Sequence, residues 1–299
     1  MAPAAVEGLA RHTRVRSVLF EVLVVVGGVV TYFGIRGQTA GAADVAVRHA
    51  HDIVDLEKAL GLYVEEEVQA LVVPSDAMST FFNWVYIWGH WPVIVTTLLV
   101  LALRNRTVYL RLRNGMLASG GLGLLVYTTY PVAPPRLAGL GMVDTVSERS
   151  QAYRVLQPPQ FVNQYAAMPS LHVGWDLLVG LAILSAATAT WLRVLGGLMP
   201  LLMTVATVAT ANHYVLDAVT GIAFGLAGLA VALLVERRRE QPAGRRNAAR
   251  GAPPGQVVVD LRDPGASAPS PPVRVPGQRL PEPAAEQGTR SGAADRPGA

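Results

Sequence analysis

The chain has no cysteine, which excludes a disulfide framework and any chemistry at a thiolate. Charge is scarce as well. Only 15% of the 299 residues are Asp, Glu, Lys or Arg, while 51% are apolar. The mean hydropathy of +0.34 is too high for an ordinary soluble domain. The apolar residues fall in blocks near the ~20 residues that cross a bilayer, not in short periodic stripes. This is the composition of a polytopic membrane protein. The net charge of +4 does not call for nucleic acid as a partner, because the Arg residues flank the apolar blocks, where a bilayer accounts for them. Abundant Ala, Gly, Arg and Pro match a high-GC bacterial genome, so a bacterial plasma membrane is the expected location. No strand-like segment precedes the runs Gly120-Gly121-x-Gly123 and Gly196-Gly197. They read as helix-packing features, not nucleotide loops.

Taken in order, the sequence predicts an all-α membrane protein of six transmembrane helices, with amphipathic outer-face helices and a disordered C-terminal tail. Residues 1–16 form a basic cytoplasmic N-terminus. The apolar run 18–35 is longer than the core of a signal peptide and is followed by no clean cleavage site, so it reads as span one. The acidic segment 36–78 repeats apolar residues at three, four and seven. That pattern gives amphipathic helices on the outer side, with Glu65-Glu66-Glu67 a solvated face. Residues 81–103 form span two, and Arg104, Arg106, Arg111 and Arg113 mark a cytoplasmic loop. Span three is 114–130, followed by an outer loop at 131–169. Spans four, five and six are 171–191, 194–210 and 213–235, with an inner turn at Arg193. The membrane domain covers 17–236, and the Pro-, Gly- and Arg-rich stretch 237–299 is a disordered cytoplasmic tail. With this count every Arg cluster lies on one side and both termini are cytoplasmic. Arg136, His172 and His213 then meet on the extracytoplasmic side.

Two stretches put polar side chains at the mouths of apolar runs, where such groups are costly unless they act. Each holds a His four residues before an Asp: His172 with Asp176, and His213 with Asp217. That spacing sets each pair on one helical face. Asp217 can accept a hydrogen bond from one ring nitrogen of His213 and leave the other free to attack. Asp176 reads equally as an orienter of His172 and as a structural contact between helices. Asn83, Tyr86 and His90 share a face of span two and are candidates to line a headgroup pocket, although interhelical hydrogen bonding is the commoner role. Pro169 reads as the first residue of a helix, so the N–H groups around Ser170 to His172 point at an anion. Ser170 and Asn212 can add hydrogen bonds, and Arg136 offers a guanidinium fork.

Pro169-Ser170-Leu171-His172 and His213-x-x-x-Asp217 resemble the second and third signature motifs of the type 2 phosphatidic acid phosphatase superfamily. Tyr130-Pro131-Val132-Ala133-Pro134-Pro135-Arg136, with Leu171 in place of the usual Gly, resembles the branch of fungal inositol phosphorylceramide synthase and its bacterial relatives. The resemblance covers roughly residues 80–235. It implies a six-helix membrane fold and metal-independent phosphoryl transfer through a phosphohistidine, with no cofactor. His213 is then the nucleophile and Asp217 its orienter. His172 is the general acid and afterwards the base, and Arg136, Ser170 and Asn212 bind phosphate. The implied substrate is a membrane lipid phosphate. The acceptor is an alcohol if an inositol-phosphate-type headgroup is transferred, or water if phosphatidate or polyprenyl phosphate is hydrolysed.

The sequence departs from the superfamily pattern at two places. Ala206 and Thr207 stand where the third motif has Ser-Arg, and Thr129 stands where the first motif has Lys. Arg149 and Arg154 are candidate replacements. Fewer cations favour a phosphodiester or a single lipid phosphate over a pyrophosphate. Two rival readings are a facial triad of two His and an Asp around a divalent ion, and a non-catalytic transporter or scaffold with a relay of buried charges. Nothing in the residue pattern favours either, and the sequence sets no oligomeric state.

Overall fold

Among the described residues every regular element is a helix, apart from one isolated bridge between Val132 and Ala166. The computed structural model describes residues 43–149 and 164–251, with side chains up to 239, and scattered positions between 21 and 34. The chain divides into two units, Met1–Asn247 and Ala248–Ala299, and every side chain discussed below belongs to the first.

Helix α1 (Ala43–Leu60) starts with Asp44 and ends with Lys58, charges that suit the helix dipole, and stops at Gly61 with φ 68°. Helix α2 is Glu65–Val72. Helix α3 (Asp76–Trp88) is capped by the Ser75 hydroxyl, which accepts from the N–H of Met78 at 3.3 Å. The chain breaks at Gly89 and His90 and resumes as α4 (Trp91–Arg104), with Pro92 in its first turn. Helix α5 (Arg106–Thr129) follows after Asn105 alone, whose side chain caps Val108 N–H at 3.2 Å. A 3-10 turn (Pro135–Leu137) and the short α6 (Thr145–Arg149) lie in the loop beyond. Three longer helices complete the fold: α7 (Leu171–Ala186), α8 (Thr190–Ala209) and α9 (Val215–Gly251).

Three segments are long and apolar enough to cross a membrane: Asp76–Arg104, Thr190–Ala209 and Val215–Arg239. The protein is therefore an integral membrane protein. Among the described residues, three of the six expected spans meet that measure. Helix α7 is apolar but has 16 residues, and α5 has 24 but carries Arg106, Arg111 and Arg113 near its start. Half of the predicted first span lies outside the described residues, and those of its positions that are described are helical.

Several boundaries differ from expectation. The Arg-rich stretch is not a loop, because α5 begins at Arg106. Its charges are met by neighbouring elements. Arg106 and Arg113 pair with Glu21, and Arg111 pairs with Glu236 at 2.7 and 3.1 Å. Arg193 is not in a turn either. It sits in the first turn of α8 and donates to the carbonyl of Leu184 at 2.7 Å, satisfying the end of α7. Helix α9 continues past residue 236 to Gly251, and residues 252–299 of the expected tail lie outside the described residues.

Helix α7 packs chiefly on α8 and α5. Its contact with α9 is close enough to exclude side chains. A Cβ at Gly221 would lie 2.1 Å from the carbonyl oxygen of Ser170, and one at Gly174 would lie 2.4 Å from that of Gly221. Gly120, Gly123 and Gly196 also face neighbouring side chains, as the sequence suggested, while Gly121 and Gly197 face open space.

Candidate active site

The close contact of α7 with α9 fixes the two His residues relative to each other. The N–H of Ser170 donates to the Asp217 carbonyl at 2.9 Å, locking the start of α7 against the first turn of α9. Ser170 is the N-cap of α7, and its hydroxyl accepts from Val173 N–H at 3.5 Å. Pro169 therefore precedes the cap and does not open the helix, contrary to expectation. His172, half-buried in the first turn, faces His213 with ring centroids 5.7 Å apart and planes at 57°.

His213 stands in the tight turn between α8 and α9. The N–H groups of Asn212 and His213 both donate to the Thr207 carbonyl, at 3.0 and 3.1 Å. Ala211, fully buried, takes φ 52° in this turn, a left-handed conformation that costs roughly 1–2 kcal/mol for a residue with a Cβ. The strain sits beside the candidate nucleophile, as at many functional turns.

The Nδ1 of His213 lies 2.8 Å from the carbonyl oxygen of Ala167 and 3.4 Å from Asp217 Oδ2. Asp217 Oδ2 also accepts from Tyr214 N–H at 2.9 Å. A carbonyl oxygen only accepts, and so does a carboxylate, so Nδ1 bears the proton and Nε2 keeps its lone pair. The Ala167 carbonyl was not foreseen, because a backbone oxygen has no signature in sequence. Pairing along the loop between α5 and α7 aims it: Val132 N–H donates to Tyr165 O at 2.8 Å, Ala167 N–H to Val132 O at 3.2 Å, and Tyr127 hydroxyl to Pro169 O at 2.7 Å.

Arg136 lies beside this turn, its N–H on the Ala211 carbonyl at 3.1 Å. The expected free fork is already engaged. Nε donates to Asp144 at 3.0 Å and Nη1 to Asn212 Oδ1 at 2.6 Å. Asn212, expected to donate to phosphate, instead directs its amide N–H at the carbonyl and hydroxyl of Thr210, at 3.2 and 2.9 Å. Ser170 is fully buried at its cap. None of the three positions that depart from the superfamily pattern supplies a cation. Thr129 bonds its own helix, while Ala206 and Thr207 are buried completely. The side chain of Arg149 and all of Arg154 lie outside the described residues.

His172 is held between two rings. Tyr86 of α3 stacks on it at 4.5 Å, and His90 from the α3–α4 break lies at 4.3 Å. The hydrogen bond of Asp176 is not to His172, as one reading of its spacing suggested. Its Oδ1 lies 2.7 Å from Nδ1 of His90. Asn83 is buried. It exchanges two hydrogen bonds with Thr145, at 2.8 and 3.0 Å, and so ties the loop between α5 and α7 to α3.

The acidic segment 36–78 has an unexpected role. Glu65 is fully buried, not solvated, and its Oε1 accepts from Val215 N–H at 2.8 Å. Glu57, equally buried, accepts from Leu216 N–H at 2.7 Å. Together they satisfy the first orphan donors of α9. Burial pushes the Glu57 carboxyl up to about 8, with nearby Glu65 adding to the rise and the Leu216 N–H opposing it. Among the described residues no three His, Asp or Glu side chains are grouped to hold a metal ion, so the facial triad does not form there.

The site thus joins an imidazole lone pair, a second imidazole facing it and an adjacent guanidinium. No curated protein and no solved structure matches the chain. A family model described as PAP2 superfamily matches residues 51–231, more than half of its length and every side chain of the site. The chain belongs to the PAP2 superfamily.

Proposed function

We propose that the protein is an integral membrane enzyme that moves the phosphoryl group of a lipid phosphate through a phosphohistidine at His213. Family membership supports phosphatase chemistry on phosphate esters. The observation that carries the mechanism is the double acceptor on Nδ1 of His213, with His172 facing the same ring. Nε2 attacks phosphorus as the P–O bond to the lipid alcohol breaks. His172 gives its proton to the leaving oxygen. The neutral His172 then takes a proton from the incoming water or alcohol, whose oxygen displaces His213 from phosphorus. Asp217 stabilises the charge that develops on His213. Arg136, whose Nη2 makes no hydrogen bond among the described residues, offers that nitrogen to a phosphate oxygen.

Transfer of an inositol-phosphate-type headgroup, in place of hydrolysis, draws support from the segment Tyr130 to Arg136 and from Leu171. An extracytoplasmic site on a six-span fold with cytoplasmic termini draws support from the charged residues. Arg106, Arg113 and Arg111 pair with Glu21 and Glu236 at the ends of α5 and α9 away from the two His. The test is incubation of purified protein in detergent with phosphatidate or polyprenyl phosphate, with and without inositol or a lipid alcohol, in EDTA. Release of inorganic phosphate identifies a phosphatase, and a new phosphate monoester of the added alcohol identifies a transferase. No turnover of any of these by the wild type overturns the proposal.

A further inference from the structure

The segment Asp76–Arg104 is long enough to cross a membrane, yet it is broken at Gly89 and His90. A break inside a span exposes backbone groups that a continuous helix would satisfy, and it persists where it builds something. Here it carries a histidine inward. His90 is 3% exposed, and Asp176, on the facing helix α7, is not exposed at all. Among the described residues the second carboxylate oxygen of Asp176 has no hydrogen-bond partner. Burying such a group is costly and marks a functional candidate. Two tryptophans fix His90 from behind. Trp175 stacks with it at 6.2 Å, its indole N–H bonded to Ser119 at 3.1 Å, and Trp91 meets it edge-on at 5.4 Å. The open face of His90 lies against His172 at 4.3 Å.

We propose that the His90–Asp176 pair is a positioning and charge-setting device for His172, an inference that rests on the acid–base role given to His172 above. The carboxylate accepts the Nδ1 proton of His90, so the pair carries one negative charge. That charge lies one helical turn below His172 in surroundings of low dielectric, where it favours the imidazolium form. The Tyr86 face on the other side also favours a cation. His213 and, behind it, Asp217 also face His172. His172 therefore holds its proton until the leaving oxygen takes it, and His90 and Tyr86 keep its ring turned toward His213.

The experiment has two readouts. One is the pH profile of kcat/KM. The other is the NMR titration of histidine-labelled protein, in which His172 is identified among the six histidines by its loss in His172→Gln. A general acid must be protonated, so the limb owed to His172 is the alkaline one. Asp176→Asn removes the charge and moves that limb, and the NMR titration of His172, to lower pH by about one unit or more. His90→Phe, which leaves Asp176 without its partner, moves both the same way. His90→Gln keeps a donor on the carboxylate and leaves both near wild type. Reduced turnover with limb and titration unmoved in Asp176→Asn overturns the proposal and leaves a packing role. If these variants do not fold, the wild-type titration decides: His172 titrating at or below the ordinary histidine value of about 6.5 overturns it. The NMR readout needs no turnover, so an inactive wild type in which Asp176→Asn still moves His172 rejects the enzyme reading and leaves the pair standing.

Discussion

His213 owes its proposed reactivity to where its proton sits. Two acceptors hold Nδ1–H, and replacing the ring removes the only nucleophile the mechanism has. His213→Ala is expected to abolish turnover on every substrate. His172→Asn is expected to lower kcat by about 10²- to 10⁴-fold on a lipid phosphate. The same change should cost kcat/KM, which reads the phosphorylation step, much less on an aryl phosphate, whose leaving group needs no proton. Parallel steady-state kinetics on the two substrate types check this. The two His–Asp spacings were legible because i and i+4 share a helical face. The partners were less so. Asp176 lies four residues from His172, yet it bonds His90, 86 positions away in sequence. Asp144, which occupies part of the Arg136 guanidinium, gave no local sign of that pairing.

The elements bring these residues together through two devices. The first is backbone contact at glycine. Gly221→Ala would drive a methyl into the Ser170 carbonyl, which is 2.1 Å from the ideal Cβ, and would part α7 from α9. It is expected to lower Tm and abolish activity, whereas Gly121→Ala, facing open space, leaves both near wild type or slightly raises Tm. Thermal unfolding in detergent compares them. The second device is the carboxylate cap on α9. Glu57 titrates near 8 in the folded chain against 4.5 in its ordinary state, so folding takes up a proton. Its contribution to stability is complete below about pH 4.5 and declines as pH rises toward 8. Glu57→Gln keeps the acceptor for Leu216 and removes the titration. It is expected to raise Tm at pH 8 and to flatten the dependence of Tm on pH between 5 and 8. The amphipathic period of α1 was readable from sequence. That its buried face includes Glu57 was not, since a buried carboxylate is explained only by the distant N–H group it meets.

At the scale of the whole molecule, composition and apolar blocks were enough to indicate an all-helical membrane protein, because a bilayer admits few other solutions for a single chain. The Arg-rich junctions were misread as loops because their charge is neutralised across the bundle by Glu21 and Glu236, contacts that no local window contains. The proposed topology can be tested directly, since the chain has no native cysteine. Glu67→Cys is expected to react with a membrane-impermeant maleimide in intact cells, and Arg104→Cys only after permeabilisation. The reverse pattern would turn the site toward the cytoplasm. The central claim is that phosphorus passes through His213, and its most direct measurement is a rapid quench with a ³²P-labelled lipid phosphate. The account predicts label on the protein that is stable in alkali, released by acid and absent from His213→Ala. Full turnover by His213→Ala, or label that persists on that variant, would contradict it.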